Sequence, residues 1–145
     1  MHTRVRPGSS DAGETLVELI IAVAIMGITV VAIIGGIATT ILMSDIHRKQ
    51  ATAGSYVRSY AEAVGNYVAV PGNFDPTTSP STLQTDVGFA APTGFAATVT
   101  APVRCWTGSA FGTCLASSTV QQVTLNVAST DARASESLVI VVRKP

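Results

Sequence analysis

The sequence predicts an α+β protein, in which one long amino-terminal helix packs on a small carboxyl-terminal antiparallel β-sheet. An uncharged run from Leu19 to Ser44 is long enough to cross a bilayer as a helix. Helical spacing of apolar residues continues beyond that run as far as Pro71. The last third of the chain holds short β-branched runs separated by turn residues, which are typical of strands.

Composition indicates one membrane segment followed by one small domain. Only 12% of the 145 residues are charged, about half the usual share, and the formal net charge is zero. The uncharged run accounts for the low charge, because the rest of the chain has an ordinary soluble composition. The basic residues are scattered along the sequence, whereas nucleic-acid binding needs them on one face. A nucleic-acid partner is therefore not expected.

Residues 14–44 are predicted to form the membrane-spanning half of the helix. Arg4 and Arg6 precede this segment, and positive charge ahead of an apolar span is held on the cytoplasmic side. The carboxyl-terminal domain would then lie outside. A secretory signal peptide has a shorter apolar core with its cleavage site behind it. A plain single-pass anchor explains the run and the arginines, but it leaves Glu18, between Val17 and Leu19, unexplained.

Residues 45–70 are predicted to continue the same helix as an amphipathic half. One apolar stripe recurs there at helical spacing, formed by Ile46, Ala53, Tyr56, Tyr60, Val64 and Tyr67. The whole helix should run from about Thr15 to about Val70, because Pro71-Gly72 is the first clear stop.

Glycines interrupt the membrane half at Gly27 and at the pair Gly35-Gly36. Each interior glycine costs roughly 1 kcal/mol relative to alanine. Two interpretations remain open. The small residues allow close packing of helices, or they mark a place where the helix bends or unwinds.

Residues 71–145 are predicted to form a connecting loop and a small β-sheet domain. The loop, 71–95, is rich in Pro, Gly, Ser and Thr. Strand-like runs follow at 96–106, 118–129 and 135–144, as an antiparallel meander of three or four strands. One face of the sheet should bury the apolar stripe of the helix.

The two cysteines, Cys105 and Cys114, have two interpretations that depend on the compartment. In an exported domain they form one disulfide, closing a short loop that contains Trp106, whereas in a cytosolic domain they are more often free thiols. They lack CxxC spacing, and His2 and His47 lie far away in sequence, so no metal site is expected. No catalytic motif is visible either, so neither an enzyme nor a cofactor is expected.

The string Gly13-Glu14-Thr15-Leu16-Val17-Glu18, followed by the apolar run, resembles the amino terminus of a type IV pilin or pseudopilin precursor. The resemblance implies a leader peptide, residues 1–13, that a prepilin peptidase removes by cutting between Gly13 and Glu14. It also implies N-methylation of the new amino terminus. The family usually has Phe or another apolar residue at the first mature position, where this chain has Glu14. Gly35 falls where many pilins have a helix-breaking proline.

Glu18 matches the acidic fifth residue of mature pilins, and the resemblance assigns it, with Thr15 and Leu16, to filament assembly. A carboxylate buried among apolar helices is strongly unfavourable without a partner. Cleavage creates a positive α-amine on Glu14 that can supply this partner to a neighbouring subunit. The ion pair between this amine and the Glu18 carboxylate would then stabilise one register of assembly relative to others.

The sequence thus predicts a structural subunit, major or minor, of a type IV pilus or secretion pseudopilus. Its expected partners are other pilin subunits, the prepilin peptidase, the assembly platform and, before assembly, membrane lipid. The expected location is the cell membrane and then an extracellular filament. Two alternatives remain: a minor pilin with a ligand- or DNA-binding role, and a plain single-pass anchored extracytoplasmic protein.

Overall fold

The computed structural model describes residues 11–145, which contain two α-helices and four β-strands. Helix α1 spans Asp11–Ala69 and helix α2 spans Pro80–Val87. Strands β1 to β4 lie at Phe95–Trp106, Phe111–Gly112, Val120–Ser129 and Ser135–Arg143. The chain divides between Met43 and Ser44 into two compact units. The predicted fold class, a long amino-terminal helix with a small antiparallel sheet, is confirmed.

Helix α1 begins four residues earlier than predicted and ends one residue earlier. No proline lies between Asp11 and Pro71, so nothing in the sequence stops the helix from extending upstream of Thr15. Its carboxyl end closes in a turn in which the Asn73 side chain donates to the carbonyl of Tyr67 at 3.0 Å. This bond satisfies one of the carbonyls that a helix end leaves without an intrahelical partner.

The sheet has the strand order β2-β1-β3-β4 and is antiparallel throughout. The predicted antiparallel meander is confirmed for the three predicted runs, since β1 pairs with β3 and β3 pairs with β4. The two-residue strand β2, which was not predicted, lies at the edge beyond β1. Strand β1 runs through Pro102 by means of an irregularity in its pairing between Thr100 and Arg104. Proline cannot donate to a strand ladder, so a break in the pairing is where a strand tolerates it.

The core of the second unit forms between one stripe of α1 and the inner face of the sheet. The fully buried stripe consists of Ala53, Val57, Tyr60, Val64 and Val68. Strand β3 faces it with alternate buried residues, namely Gln121, Val123, Leu125, Val127 and Ser129. The predicted stripe was partly displaced, because Tyr56 and Tyr67 are only half-buried at its margins. The smaller β-branched residues that directly follow these tyrosines, Val57 and Val68, are buried instead.

Helix α2 was not predicted, because residues 71–95 were expected to form a loop. Ser79 caps this helix by accepting from the backbone N–H of Thr82 at 3.1 Å, and Pro80 opens its first turn. Gly88 ends it with a positive φ of 62°, which favours glycine. Leu83 is buried, and Gln84 accepts from the backbone of Val99 at 3.2 Å. These contacts anchor α2 against β1.

Cys105 and Cys114 form a disulfide, as the exported-domain interpretation predicted. Cys105 is fully buried on the inner side of β1, and Cys114 follows β2. The bridge holds the short edge strand against β1, where only two residue pairs form the ladder. A strand this short adds little by itself, so the covalent link stabilises the hairpin.

We expect alkylation under non-reducing denaturing conditions to label neither cysteine. Replacing both with serine should lower the stability of the second unit by about 2–3 kcal/mol, because the bridge restricts the unfolded chain over a short loop. Chemical denaturation followed by the fluorescence of Trp106 measures this loss. Two labelled thiols in freshly isolated protein, or an unchanged denaturation midpoint, would contradict the assignment.

Candidate processing and assembly segment

The apolar half of α1 is exposed on every side. All residues from Leu16 to Ser44 are exposed, including the large apolar side chains of Ile28 and Val31, each 72% accessible. By length and composition, this is the one helix of the described chain that is long and apolar enough to cross a membrane. A helix that is apolar all round needs lipid or other helices around it.

Glu18 is the one charged residue between Leu16 and Ser44. It is exposed on α1 and forms no ion pair with any residue that the structure describes. Leu16 and Leu19 beside it are exposed by 60% and 65%. The carboxylate therefore lies on an apolar helix surface, near its amino-terminal end.

The predicted processing residues lie in the first turns of α1. Gly13, Glu14 and Thr15 have helical backbone, while residues 1–10 of the expected leader lie outside the described part of the chain. The bond between Gly13 and Glu14 therefore lies within the helical backbone of α1.

Gly27, Gly35 and Gly36 lie inside an uninterrupted helix. A Cβ atom added at any of the three would meet nothing within 4 Å, so no contact within the described chain requires glycine there. The Thr39 hydroxyl donates to the carbonyls of Gly35 and Gly36 at 3.0 and 2.9 Å, and the Thr40 hydroxyl donates to Gly36 at 2.9 Å. These carbonyls therefore accept from a side-chain hydroxyl inside the intact helix.

Sequence reasoning missed a cluster of four charged residues at the start of the second unit. Lys49 Nζ lies 2.9 Å from an Asp45 carboxylate oxygen and 2.5 Å from Asp131, which is in the turn between β3 and β4. Arg133 lies 3.9 Å from Asp45 and 3.7 Å from Asp131. We call these four residues the charged quartet. Only the pair Asp45 and Lys49, one helical turn apart, was visible in the sequence.

The quartet shifts the pKa values of its members in the direction expected for ion pairs. The hydrogen bond from Lys49 holds the pKa of Asp131 well below its usual range. The bonds to Asp131 and then Asp45 raise the pKa of Lys49. The turn that carries Asp131 includes Ala132 with a φ of 57°, a conformation that costs about 1–2 kcal/mol outside glycine. The quartet thus ties a strained turn to α1.

Trp106, in the loop that the disulfide closes, packs against the aromatic ring opposite it on β2. Its ring packs edge-on against Phe111 with centroids 5.4 Å apart, and 44% of the residue remains exposed. Near this hairpin, an open groove of about 380 Å³ is lined by Pro76, Pro80, Pro102, Val103, Cys114 and three threonines, with no titratable group among them. The described residues contain no group of three potential metal ligands.

Comparison with known proteins adds no assignment. The chain matches no protein-family model, no curated protein and no solved structure at a significant level.

We expect Asp131→Asn to lower the unfolding temperature of the second unit at pH 7 and to have a smaller effect near pH 2. The folded-state pKa of Asp131 is depressed, so its stabilisation is present above the unfolded-state value of 3.8. The stabilisation is lost as the pH falls from about 4 through the lower folded-state pKa. Thermal unfolding followed by Trp106 fluorescence across this range measures it.

Glu62→Gln is the matched control, because Glu62 is an exposed acid on α1 that forms no ion pair with a described residue. Its unfolding temperature should follow the wild-type protein at every pH. Equal behaviour of Asp131→Asn and Glu62→Gln at pH 7 would mean that the quartet contributes nothing measurable, as many exposed ion pairs do.

Proposed function

We propose that the chain is the precursor of a structural subunit, major or minor, of a type IV pilus or secretion pseudopilus. The observation that carries the proposal is the surface of α1 from Leu16 to Met43, which is apolar and exposed on all sides except for the Glu18 carboxylate. Such a helix suits lipid before assembly and suits other helices afterwards. Close packing of helices is favoured by small residues such as Gly27 and Gly35.

Glu18 supports an assembly role better than a simple anchoring role. An anchor gains nothing from a carboxylate within its apolar surface, and a charge deep in a bilayer costs a few kcal/mol or more. Near the end of the segment the cost in lipid is smaller. In a filament core, the carboxylate would be stable only beside a cation. The α-amine that cleavage leaves on Glu14 of a neighbouring copy would provide it, in one register only.

The proposed processing follows the same order of events. A prepilin peptidase removes residues 1–13 on the cytoplasmic side, where Arg4 and Arg6 hold the leader. The second unit lies outside the membrane, a compartment in which the disulfide between Cys105 and Cys114 is stable. The subunit then leaves the membrane for an extracellular filament through an assembly platform.

A plain single-pass anchor is the second candidate, because the apolar run and the two leader arginines are sufficient for it. Under that candidate the chain keeps residues 1–13, and Glu18 is an acid at the membrane interface. The two candidates differ first at the amino terminus of the protein in the membrane.

We expect protein extracted from membranes of cells with an active prepilin peptidase to begin at Glu14. Gly13→Val should leave the leader attached, because a β-branched side chain would crowd the peptidase subsite. Amino-terminal sequencing of both proteins measures the outcome. A wild-type product that still carries Met1 or His2 would favour the plain anchor.

We expect Glu18→Ala to insert into the membrane and to be cut after Gly13 as in the wild type. Filament yield should fall at least tenfold, because an incoming amine without its partner costs about 3–5 kcal/mol when buried. Glu18→Gln retains the shape without the charge and should also assemble poorly. The measurement compares sheared-filament protein with the membrane pool for each variant.

Glu14→Phe is the control for this series, because it restores the usual family residue and leaves the α-amine in place. Its filament yield should equal that of the wild type. A wild-type yield from Glu18→Ala would show instead that the carboxylate only flanks the membrane segment.

A further inference from the structure

The outer face of the sheet, opposite α1, is open over three strands. Its rows are defined by the register: Thr98, Asn126 and Ser137 form one row, and Thr100, Thr124 and Val139 form the next. Thr98, Thr100, Ser137 and Val139 are exposed. Glu136 is the one acidic residue in the four strands of the described chain, and it alternates to the inner face, opposite Val127. The outer face is therefore rich in hydroxyl and amide groups and carries no acid.

Two arginines that are far apart in sequence lie at the same end of this face. Arg104 pairs with Gln122 and Arg143 pairs with Val120, and both partners are on the outer side of β3. Both arginines are exposed, as is the neighbouring Lys144. From the spacing of strands and of residues along them, the two arginine Cα atoms are about 12 Å apart. The scattered basic residues of the sequence are thus brought together by the register.

An aromatic pair lies on the same side, beside Arg104. Trp106 follows Arg104 by two residues, so both side chains leave the same face of β1. Phe111, directly opposite Trp106, packs its ring against the indole and holds it in place while 44% of Trp106 remains exposed. We call Arg104, Trp106, Phe111 and Arg143 the arginine–tryptophan patch.

The basic residues of this patch form no ion pair with any residue that the structure describes. The ion pairs of the described residues all belong to the charged quartet, and none involves Arg104, Arg143 or Lys144. The quartet lies at the β3–β4 turn, whereas the patch lies at the opposite ends of β3 and β4. The patch is therefore remote from Lys49 within the second unit.

A cationic surface with an exposed, fixed indole suits a polymer that carries both negative charge and flat apolar faces. The number of exposed aromatic rings separates the candidate polymers. Proteins that bind single-stranded nucleic acid stack successive bases on several aromatic side chains, whereas this patch exposes one indole.

We propose that the arginine–tryptophan patch binds an acidic polysaccharide in which charged and neutral sugars alternate. The arginines bind carboxylates of separate acidic sugars, and the indole stacks on the face of a sugar ring between them. Gln122, Thr100 and Thr124 on the adjoining rows provide hydrogen-bonding groups for sugar hydroxyls. This inference does not depend on filament assembly, because an anchored domain would present the same face.

The test uses Trp106, the single tryptophan of the chain, as its reporter. Full-length protein in an uncharged detergent is titrated with a hyaluronan decasaccharide, which has one carboxylate for every two sugars. Saturable change of the indole fluorescence is expected, and raising the salt from 50 to 500 mM should weaken it several-fold because exposed charges are screened. No saturable change would overturn the proposal.

Variants locate the site. Arg104→Gln and Arg143→Gln should each lower the affinity at least threefold, and together at least tenfold, with unchanged thermal unfolding. Arg58→Gln is the matched control, because Arg58 is an exposed arginine on α1 and not on the sheet. Trp106→Leu, read by calorimetry, should also weaken binding. Equal loss from Arg58→Gln, or no loss from the double variant, would overturn the assignment to this patch.

Three further ligands test which chemical class of polymer the patch binds. An uncharged N-acetylglucosamine oligomer should bind at least tenfold more weakly, and so should polyglutamate, which has carboxylates without sugar rings. A twelve-nucleotide oligothymidylate should bind more weakly than hyaluronan. Tighter binding of the oligothymidylate would replace the polysaccharide with nucleic acid, and tighter binding of polyglutamate would show a charge contact without sugar recognition; either result contradicts the proposal.

Discussion

Seventeen large apolar side chains between Leu16 and Met43 are each at least 49% exposed. Covering each one is worth on the order of 1 kcal/mol or more, so the whole surface amounts to roughly 20 kcal/mol. That exceeds the 5–15 kcal/mol that usually separates a folded domain from its unfolded chain. The need to cover this helix is therefore the strongest constraint on where the protein can exist. Lipid and other apolar helices are two environments that meet it.

The second unit buries its apolar surface within itself. The stripe from Ala53 to Val68 is buried against Leu125 and its neighbours on β3. The disulfide fixes one edge of the sheet, and the charged quartet fixes the β3–β4 turn against α1. With its core complete, this unit is free to present its outer sheet face to other molecules. The two units thus differ in kind, because the first exposes its apolar surface and the second buries its own.

Much of the fold followed from local patterns in the sequence. The absence of charge from Leu19 to Ser44 predicted the apolar half of α1, alternation predicted β3, and a run of β-branched residues predicted β4. Helix α2 was missed although Ser79-Pro80 and Gly88 carry ordinary start and stop signals, since the Pro- and Ser-rich composition favoured a loop. The buried stripe was displaced to Val57 and Val68, because periodicity alone does not rank a tyrosine against the valine beside it.

The surface features were less accessible to sequence reasoning because they depend on strand register. Lys49 and Asp131 form a hydrogen bond although 82 residues separate them in sequence. Arg104 and Arg143 lie at the same end of the outer face only because β3 pairs with both of their strands. Glu18 and Gly13 were identified through their local string, and their proposed roles require a second subunit or a peptidase. The sequence of a single chain can therefore identify these residues, but the partners that their proposed roles require are other molecules.

The most direct measurement of the central claim is photo-crosslinking from the middle of the apolar segment in living cells. A benzophenone amino acid replaces Ile28, which is 72% exposed and far from Glu18 in sequence. If the apolar surface is a packing surface between subunits, illumination should join the chain to a second copy or to another helical subunit, in addition to lipid. The subunit crosslinks should disappear when the leader is retained by Gly13→Val. Lipid adducts alone, in cells with active prepilin peptidase, would contradict the account and leave a plain membrane anchor.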